Sequence, residues 1–201
     1  MKAYRKALLF SCALGVAVPA AGQTPPPAAA QTPPGQYEPK VGQAGKDVVW
    51  VPSPESTVEK MLDVAKVTPQ DFVVDLGSGD GRNVIAAAKR GARALGVEFN
   101  PEMVKLAQQR ASEAGVAERV TFVEGDMYEA DISKATVLAL FLLPENLRRL
   151  EPKFRALPAG TRIVVNTFGI ADWKAEATET IGGDCRSWCT AMLYRLPPRV
   201  D

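Results

Sequence analysis

Apolar residues along this chain come in short runs separated by polar, turn-forming stretches, and the runs alternate between the strand and helix periods. Phe72, Val73 and Val74 form an uninterrupted apolar run of the kind a buried parallel strand carries. An alanine-rich helical pattern follows over residues 84–89, closed by Arg90 in the last turn and Gly91 at the C′ position. Further strands are predicted over residues 92–97, 120–123, 136–143 and 161–167, with 136–143 the most apolar and so the central one. Between them, Asn100 and Pro101 start a helix by side-chain cap and fixed φ, Ala114 and Gly115 stop it, and residues 145–157 form another. Upstream, Ser53 is a good N-cap with Pro54 at the first helical position, and Val58, Met61, Leu62 and Ala65 share one face of a helix running to about Val67. Trp50 is expected to plug the core beneath that helix. Residues 177–181 and 190–196, around a turn at 182–184, suggest a closing antiparallel hairpin. The alternation of strand and helix predicts an α/β fold with a mostly parallel sheet.

The loop after the first strand carries the chemistry. Asp75 precedes Gly77, Gly79 and Gly81, which let the backbone turn tightly into the helix starting near Arg82, at the strand end where open α/β sheets bind ligands. A dinucleotide fingerprint needs its third glycine at position 82, which is Arg82; here it comes one residue early. Glu98, 21 residues beyond Gly77, ends the second strand and is placed to accept ribose hydroxyl hydrogen bonds, a feature shared by several cofactor classes.

The pattern from Asp75 to Gly81 resembles the first motif of the class I, seven-strand, S-adenosylmethionine-dependent methyltransferases. The resemblance implies a Rossmann-like doubly wound sheet of seven strands, with the hairpin as its sixth and seventh. It also implies a glycine loop of Asp75, Gly77, Ser78, Gly79 and Gly81 against the methionine end of the cofactor, Glu98 beside the ribose, and Phe99 among the cofactor-binding residues. Asp126 would receive the adenine amino group, with Met127 packing on the ring. The segment Asp47 to Pro54, the glycine motif, Glu98, Gly125-Asp126 and the run Leu140 to Pro144 together resemble bacterial relatives of the mitochondrial lysine methyltransferases of the ATP-synthase c-subunit and adenine-nucleotide carrier. In that group the segment before the domain caps the cofactor and helps form the substrate channel. Methyl transfer to a protein lysine amine is the expected activity, and residues 47–196 carry the resemblance.

Related enzymes acting on nucleic-acid amines or glutamine often carry Asn-Pro-Pro-Tyr after the fourth strand; Phe141, Leu142, Leu143 and Pro144 stand there instead. The acceptor mouth is inferred to comprise Pro52, Pro54, Leu143, Pro144 and Phe168, with Trp173 nearby, and no catalytic base is assigned. A non-catalytic binding module that keeps the fold, or a small-molecule methyltransferase, are the alternatives.

Composition narrows the picture further. Histidine is absent, which excludes Ser-His-Asp and Cys-His nucleophile systems and histidine-ligated metals; no metal site is expected. Lys2, Arg5 and Lys6 precede an apolar stretch that ends at Ala20, Ala21 and Gly22, so residues 1–22 read as a secretory signal peptide, or an uncleaved anchor, and imply export to the periplasm. Removing its three basic residues from 24 leaves 21 against 23 acidic ones, near −2, with no long basic run and no nucleic-acid partner expected. Residues 23–43 are rich in Pro, Ala, Gln and Gly and read as a disordered linker. The domain then covers 44–201, expected as a monomer that touches membrane only through an uncleaved leader. Export is the departure from the family pattern, since it places a cofactor-dependent domain outside the cytoplasm. Cys185 and Cys189 would be too far apart to bridge along one extended strand, but would face each other if residues 186–188 form a hairpin tip.

Overall fold

The computed structural model describes residues 37–182 and 185–197. The leader and most of the linker read from the sequence lie outside the described residues. Residues 37–43, read as the linker's end, are built onto the domain: the Tyr37 hydroxyl accepts from Gln43 Nε2 at 2.6 Å and Asn100 Nδ2 at 3.4 Å.

Seven strands form one sheet: β1 (Phe72–Leu76), β2 (Arg93–Glu98), β3 (Val120–Glu124), β4 (Val137–Leu140), β5 (Arg162–Asn166), β6 (Ala177–Thr180) and β7 (Thr190–Arg195). Their order is β3-β2-β1-β4-β5-β7-β6, parallel except where β7 runs antiparallel to β5 and β6. The predicted doubly wound seven-strand sheet with its antiparallel hairpin is therefore the observed fold, and β4 lies at its centre. Alternate residues feed two cores. Val73, Val137, Ala139 and Val164 pack with α1 (Glu55–Val64), α2 (Arg82–Lys89) and α3 (Pro101–Glu113) on one face. On the other, Val74, Leu138, Leu140 and Ile163 pack with Leu147, Leu150 and Phe154 of α4 (Pro144–Arg155). Strands covered on both sides need no polar alternation, which is why they read as continuous apolar runs.

Three local expectations shift. Ser53 does not cap α1: Pro54 is the N-cap residue, its carbonyl accepting from Thr57 and Val58 N–H. The Ser53 side chain is buried instead, accepting from Asn166 Nδ2 at 3.3 Å, while its carbonyl receives Arg82. The apolar run 136–143 is a strand only over Val137–Leu140, because Phe141 onward leaves the sheet. Trp50 belongs to neither core. Asn100 does cap α3, its side chain accepting from the Glu102 N–H at 2.9 Å.

Order reverses between β1 and β4, so their carboxyl ends open a crevice between the loop after β1 and the chain after β4. At the opposite end of the same strands, Asp71 ties the frame together. Its carboxylate accepts from the Thr68 N–H and hydroxyl at 2.8 and 3.0 Å and from the Thr136 hydroxyl at 2.8 Å, and pairs with Arg162. Arg162 also donates to the Ala65 and Lys66 carbonyls at the end of α1.

Asp71→Ala should therefore cost about 3 kcal/mol in denaturant unfolding, because it leaves the largely buried Arg162 guanidinium without its carboxylate. Burial pushes the Asp71 carboxyl up, but the Thr68 and Thr136 donors and Arg162 outweigh it and hold it below its ordinary value. Its stabilising contribution is thus complete above about pH 4 and lost as pH falls through the lower native value. The variant should show a shallower acid limb of stability against pH, and an unchanged limb would remove Asp71 as the frame's acid-sensitive tie.

Candidate active site

The glycine loop is shaped by its own backbone. Gly77, Gly79 and Gly81 all have positive φ, at 72°, 53° and 82°. The Gly77 and Ser78 N–H groups donate to the Val97 carbonyl at 2.8 and 3.0 Å, which binds the loop to the end of β2. At Gly79 a Cβ would lie 2.7 Å from Trp50 Nε1, and at Gly81 2.7 Å from Phe122 Cζ. These two glycines therefore serve different contacts. Gly81 lets α2 approach β3 and α3 and does not line the crevice, whereas Gly79 lies under the Trp50 indole. Trp50, expected in the core, instead covers the loop and lines the crevice beside it.

Glu98, at the end of β2, accepts the Gly79 N–H on one carboxylate oxygen and the Asn100 N–H on the other, both at 2.9 Å. It lines a cavity of about 170 Å³ together with Asp75, Gly77, Ser78 and Asn83. Two buried polar atoms in that lining, Ser78 Oγ and Asn83 Oδ1, have no hydrogen-bond partner in the protein. A second, smaller cavity of about 30 Å³ is lined by Gly77, Val97, Glu98, Phe99, Asp126 and Met127, with Gly45 to Val48 across it. The sequence-predicted ribose and adenine residues thus converge on one place. Lys46 Nζ lies there 2.5 Å from Asp126 and 4.9 Å from the centre of the Phe99 ring.

Three carboxylates sit beneath the loop in different states. Asp80 is buried, and burial pushes its carboxyl up, but Arg82 and Arg110 outweigh that and hold it below the ordinary range. Glu98 has its two backbone donors. Among the described residues Asp75 receives only Asn83 Nδ2, at 3.1 Å; burial, with Glu98 and Asp80 adding to it, pushes its carboxyl well above the ordinary range despite Asn83. A site with an under-compensated buried carboxylate, unpartnered Ser78 and Asn83 oxygens and a tight glycine loop suits a ligand carrying a positive charge and several polar hydrogens.

Of the residues the sequence assigns to an acceptor mouth, Pro52, Leu143 and Phe168 line the same cavity; Pro54 and Pro144 do not, and serve as the N-cap of α1 and the first residue of α4. Trp173 is displaced from the mouth: it meets Tyr194 edge-on at 6.2 Å, and its indole donates to Glu151 at 2.9 Å. Two mouth residues were not foreseen, Phe141 and Trp188. Phe141 stacks on Phe168 with centroids 6.3 Å apart and meets Trp188 at 6.1 Å. Phe141 lies within an apolar run that reads as strand, and Trp188 lies between β6 and β7, inside the loop closed by the Cys185–Cys189 disulfide. Among the described residues, no group of three or more His, Cys, Asp and Glu side chains is placed to hold a metal ion.

A family profile described as the ANTKMT methyltransferase domain matches residues 75–177. A protein-lysine N-methyltransferase of Saccharolobus islandicus is 44% identical over 129 residues, 63% of this chain and 80% of that protein. The mouse adenine nucleotide translocase lysine N-methyltransferase is 37% identical over 143 residues, 70% of this chain and 62% of its own length. Among solved structures, one described as an RNA methyltransferase from Salinibacter ruber in complex with S-adenosyl-L-homocysteine is 42% identical. It covers 75% of this chain and 97% of that one, with a TM-score of 0.69.

Gly79→Ala tests how the loop is covered. The left-handed backbone should cost about 1–2 kcal/mol for any residue with a Cβ, and the new methyl would displace the Trp50 indole. Thermal unfolding should show the loss and tryptophan fluorescence a red shift, while an unshifted spectrum would mean that Trp50 does not rest on the loop.

Proposed function

The chain belongs to the ANTKMT methyltransferase family and is an S-adenosylmethionine-dependent methyltransferase, and we propose that its acceptor is a lysine amine of a protein. The observation that carries this is a single cavity whose lining runs from the cofactor loop at Asp75, Gly77 and Glu98 to a mouth of Pro52, Phe141, Leu143 and Phe168. Such a channel suits one slender alkyl amine arriving end-on. The named lysine methyltransferases among its relatives support the same acceptor.

The residues proposed to hold the cofactor divide by chemistry. Asp75, Gly77, Ser78 and the backbone at Gly79 face the methionine end, Glu98 the ribose, and Phe99, Asp126 and Met127 the adenine. Gly81 contributes by letting α2 pack. Bound there, S-adenosylmethionine supplies an electrophilic methyl group on a sulfonium sulfur. The protein's part is to align a neutral amine with it. The apolar mouth favours loss of the ammonium proton by desolvation. The carboxylates nearby have other partners: Glu98 holds two backbone N–H groups and Asp80 two arginines.

A nucleic-acid acceptor finds less support. The basic side chains of α4 are engaged locally: Arg148 pairs with Glu145 and Arg155 with Glu151, Arg149 lies over the Tyr128 ring, and Lys153 donates to the Ala130 carbonyl.

Incubation of the full chain with methyl-labelled S-adenosylmethionine and host protein extract should place label in protein, and mass spectrometry should locate it on lysine side chains. Label found in RNA or small molecules and never in protein would overturn the acceptor assignment. In calorimetric titration, Glu98→Ala should weaken S-adenosylhomocysteine by about 1–3 kcal/mol, the loss of charge-assisted hydrogen bonds; equal affinity would remove Glu98 from the cofactor site.

Asp75 gives a pH signature. Its raised native value means the free protein holds a proton there over a window above about pH 4. A cationic ligand beside it favours the carboxylate, so binding should release a proton and affinity should rise with pH through that window. Titrations in buffers of different ionisation enthalpy should show the release in the native protein and none in Asp75→Asn. Binding without proton release in the native protein would place the ligand's charge elsewhere.

A further inference from the structure

We propose that Trp188 is a wall of the acceptor mouth and that the Cys185–Cys189 disulfide holds it there, so that recognition of an alkylammonium acceptor, but not of the cofactor, depends on that bond. The inference rests on the lysine-acceptor assignment above and names a determinant of the same mouth.

Trp188 is 47% exposed, yet its ring lies 6.1 Å from Phe141, which in turn stacks on Phe168. All three line the cavity that reaches Asp75 and Glu98. Aromatic faces attract alkylammonium groups through the ring quadrupole, most strongly for tryptophan. A partly exposed indole at the rim of an apolar channel is therefore placed to meet a lysine side chain before it enters.

The backbone shows what keeps it there. Trp188 has a φ of 58°, in the left-handed region that bulky residues seldom occupy unless their surroundings fix them. The disulfide closes a short ring around it, with the cysteine Cα atoms 5.7 Å apart. Both ends of that ring are tethered. The Cys189 carbonyl accepts from the Ile181 N–H at 2.8 Å, and the Thr57 hydroxyl of α1 donates to Cys185 Sγ at 3.5 Å. Both cysteines also pack against the core cluster that contains Val58 and Met61. Reduction by a dithiol delivers two electrons and two protons, breaks the Sγ–Sγ bond to leave two thiols, and closes the reductant to its own cyclic disulfide. The tip then loses its closure while the sheet and glycine loop keep their contacts.

The test uses the oxidised full chain saturated with S-adenosylhomocysteine, read by the indole N–H resonances of its three tryptophans. Nα-acetyl-trimethyllysine amide is the probe and Nα-acetyl-norleucine amide the uncharged control. The Trp188 resonance should shift saturably with the ammonium probe and not with norleucine, while Trp173 stays in place. Dithiothreitol, or the Cys185→Ser/Cys189→Ser double variant, should weaken the probe about two- to fivefold, the range of one partly exposed cation–π contact. Trp188→Leu should do the same with the disulfide intact. Calorimetric binding of S-adenosylhomocysteine checks that each form is folded. A Trp188 signal unmoved by the ammonium probe in protein that binds S-adenosylhomocysteine would overturn the inference, as would reduced protein that binds the probe as tightly as oxidised. Both results are separate from failure to label protein lysine, which would strike the acceptor assignment alone.

Discussion

The site depends on where the Glu98 carboxylate spends its hydrogen-bonding capacity. One oxygen takes the N–H of Gly79 in the glycine loop and the other takes the N–H of Asn100 at the start of α3. One side chain thus fixes the loop after β1 against the turn after β2. A carboxylate has about four lone-pair directions. Two are committed to backbone, which leaves two for hydroxyl donors of the kind a ribose presents. Ordering the loop therefore leaves Glu98 acceptor capacity facing the cavity.

Charge around this anchor is unevenly compensated. Asp80 lies between Arg82 and Arg110, and Arg82 also reaches the Ser53 carbonyl, so that pair welds the lead-in segment to α2. Asp75, the penultimate residue of β1, has no cation and only an asparagine amide beside it among the described residues. Replacing it with an apolar residue would relieve the burial penalty, so stability alone does not account for an acid there. A ligand with a positive group near the loop would favour loss of that carboxyl's proton and pair with the carboxylate it leaves, and the protein would be spared a permanent internal ion pair.

Much of this was legible in the sequence because it is local. The glycine spacing, the acid at the end of β2, the Asn100 cap and the Gly-Asp turn after β3 are each decided within a few residues of chain. Several departures from that reading are decided at long range. Ser53 looked like a cap but is drawn inward by Asn166 and Arg82, contacts no propensity encodes. The run 136–143 was apolar throughout, and hydrophobicity cannot separate a residue buried in a sheet from one lining a channel, so Phe141 was read as strand. Pro54 and Pro144 sit beside the mouth in sequence but are taken up with starting helices. Trp50 and Trp188 reach the site only through the lead-in segment and a covalent bridge.

The lead-in segment's hold over the smaller cavity beside Asp126 has a particular strength. Asp126 is oriented by the Tyr128 N–H on one oxygen, at 2.9 Å, and meets Lys46 with the other. Since backbone rather than lysine fixes the carboxylate, removing Lys46 would leave an acceptor already aimed. The pair is also open to water, with the two side chains 40% and 20% exposed, the setting in which ion pairs contribute little. A ligand amino group can therefore take the place of Lys46 at small cost, inheriting an oriented acceptor and the exposed Phe99 ring beside it. On the opposite side of the crevice the same segment is held firmly, by Arg82 at Ser53 and by Trp50 on Gly79. The segment is thus held firmly beside the glycine loop and weakly beside Asp126, so the smaller cavity can open there at less cost than the loop can shift.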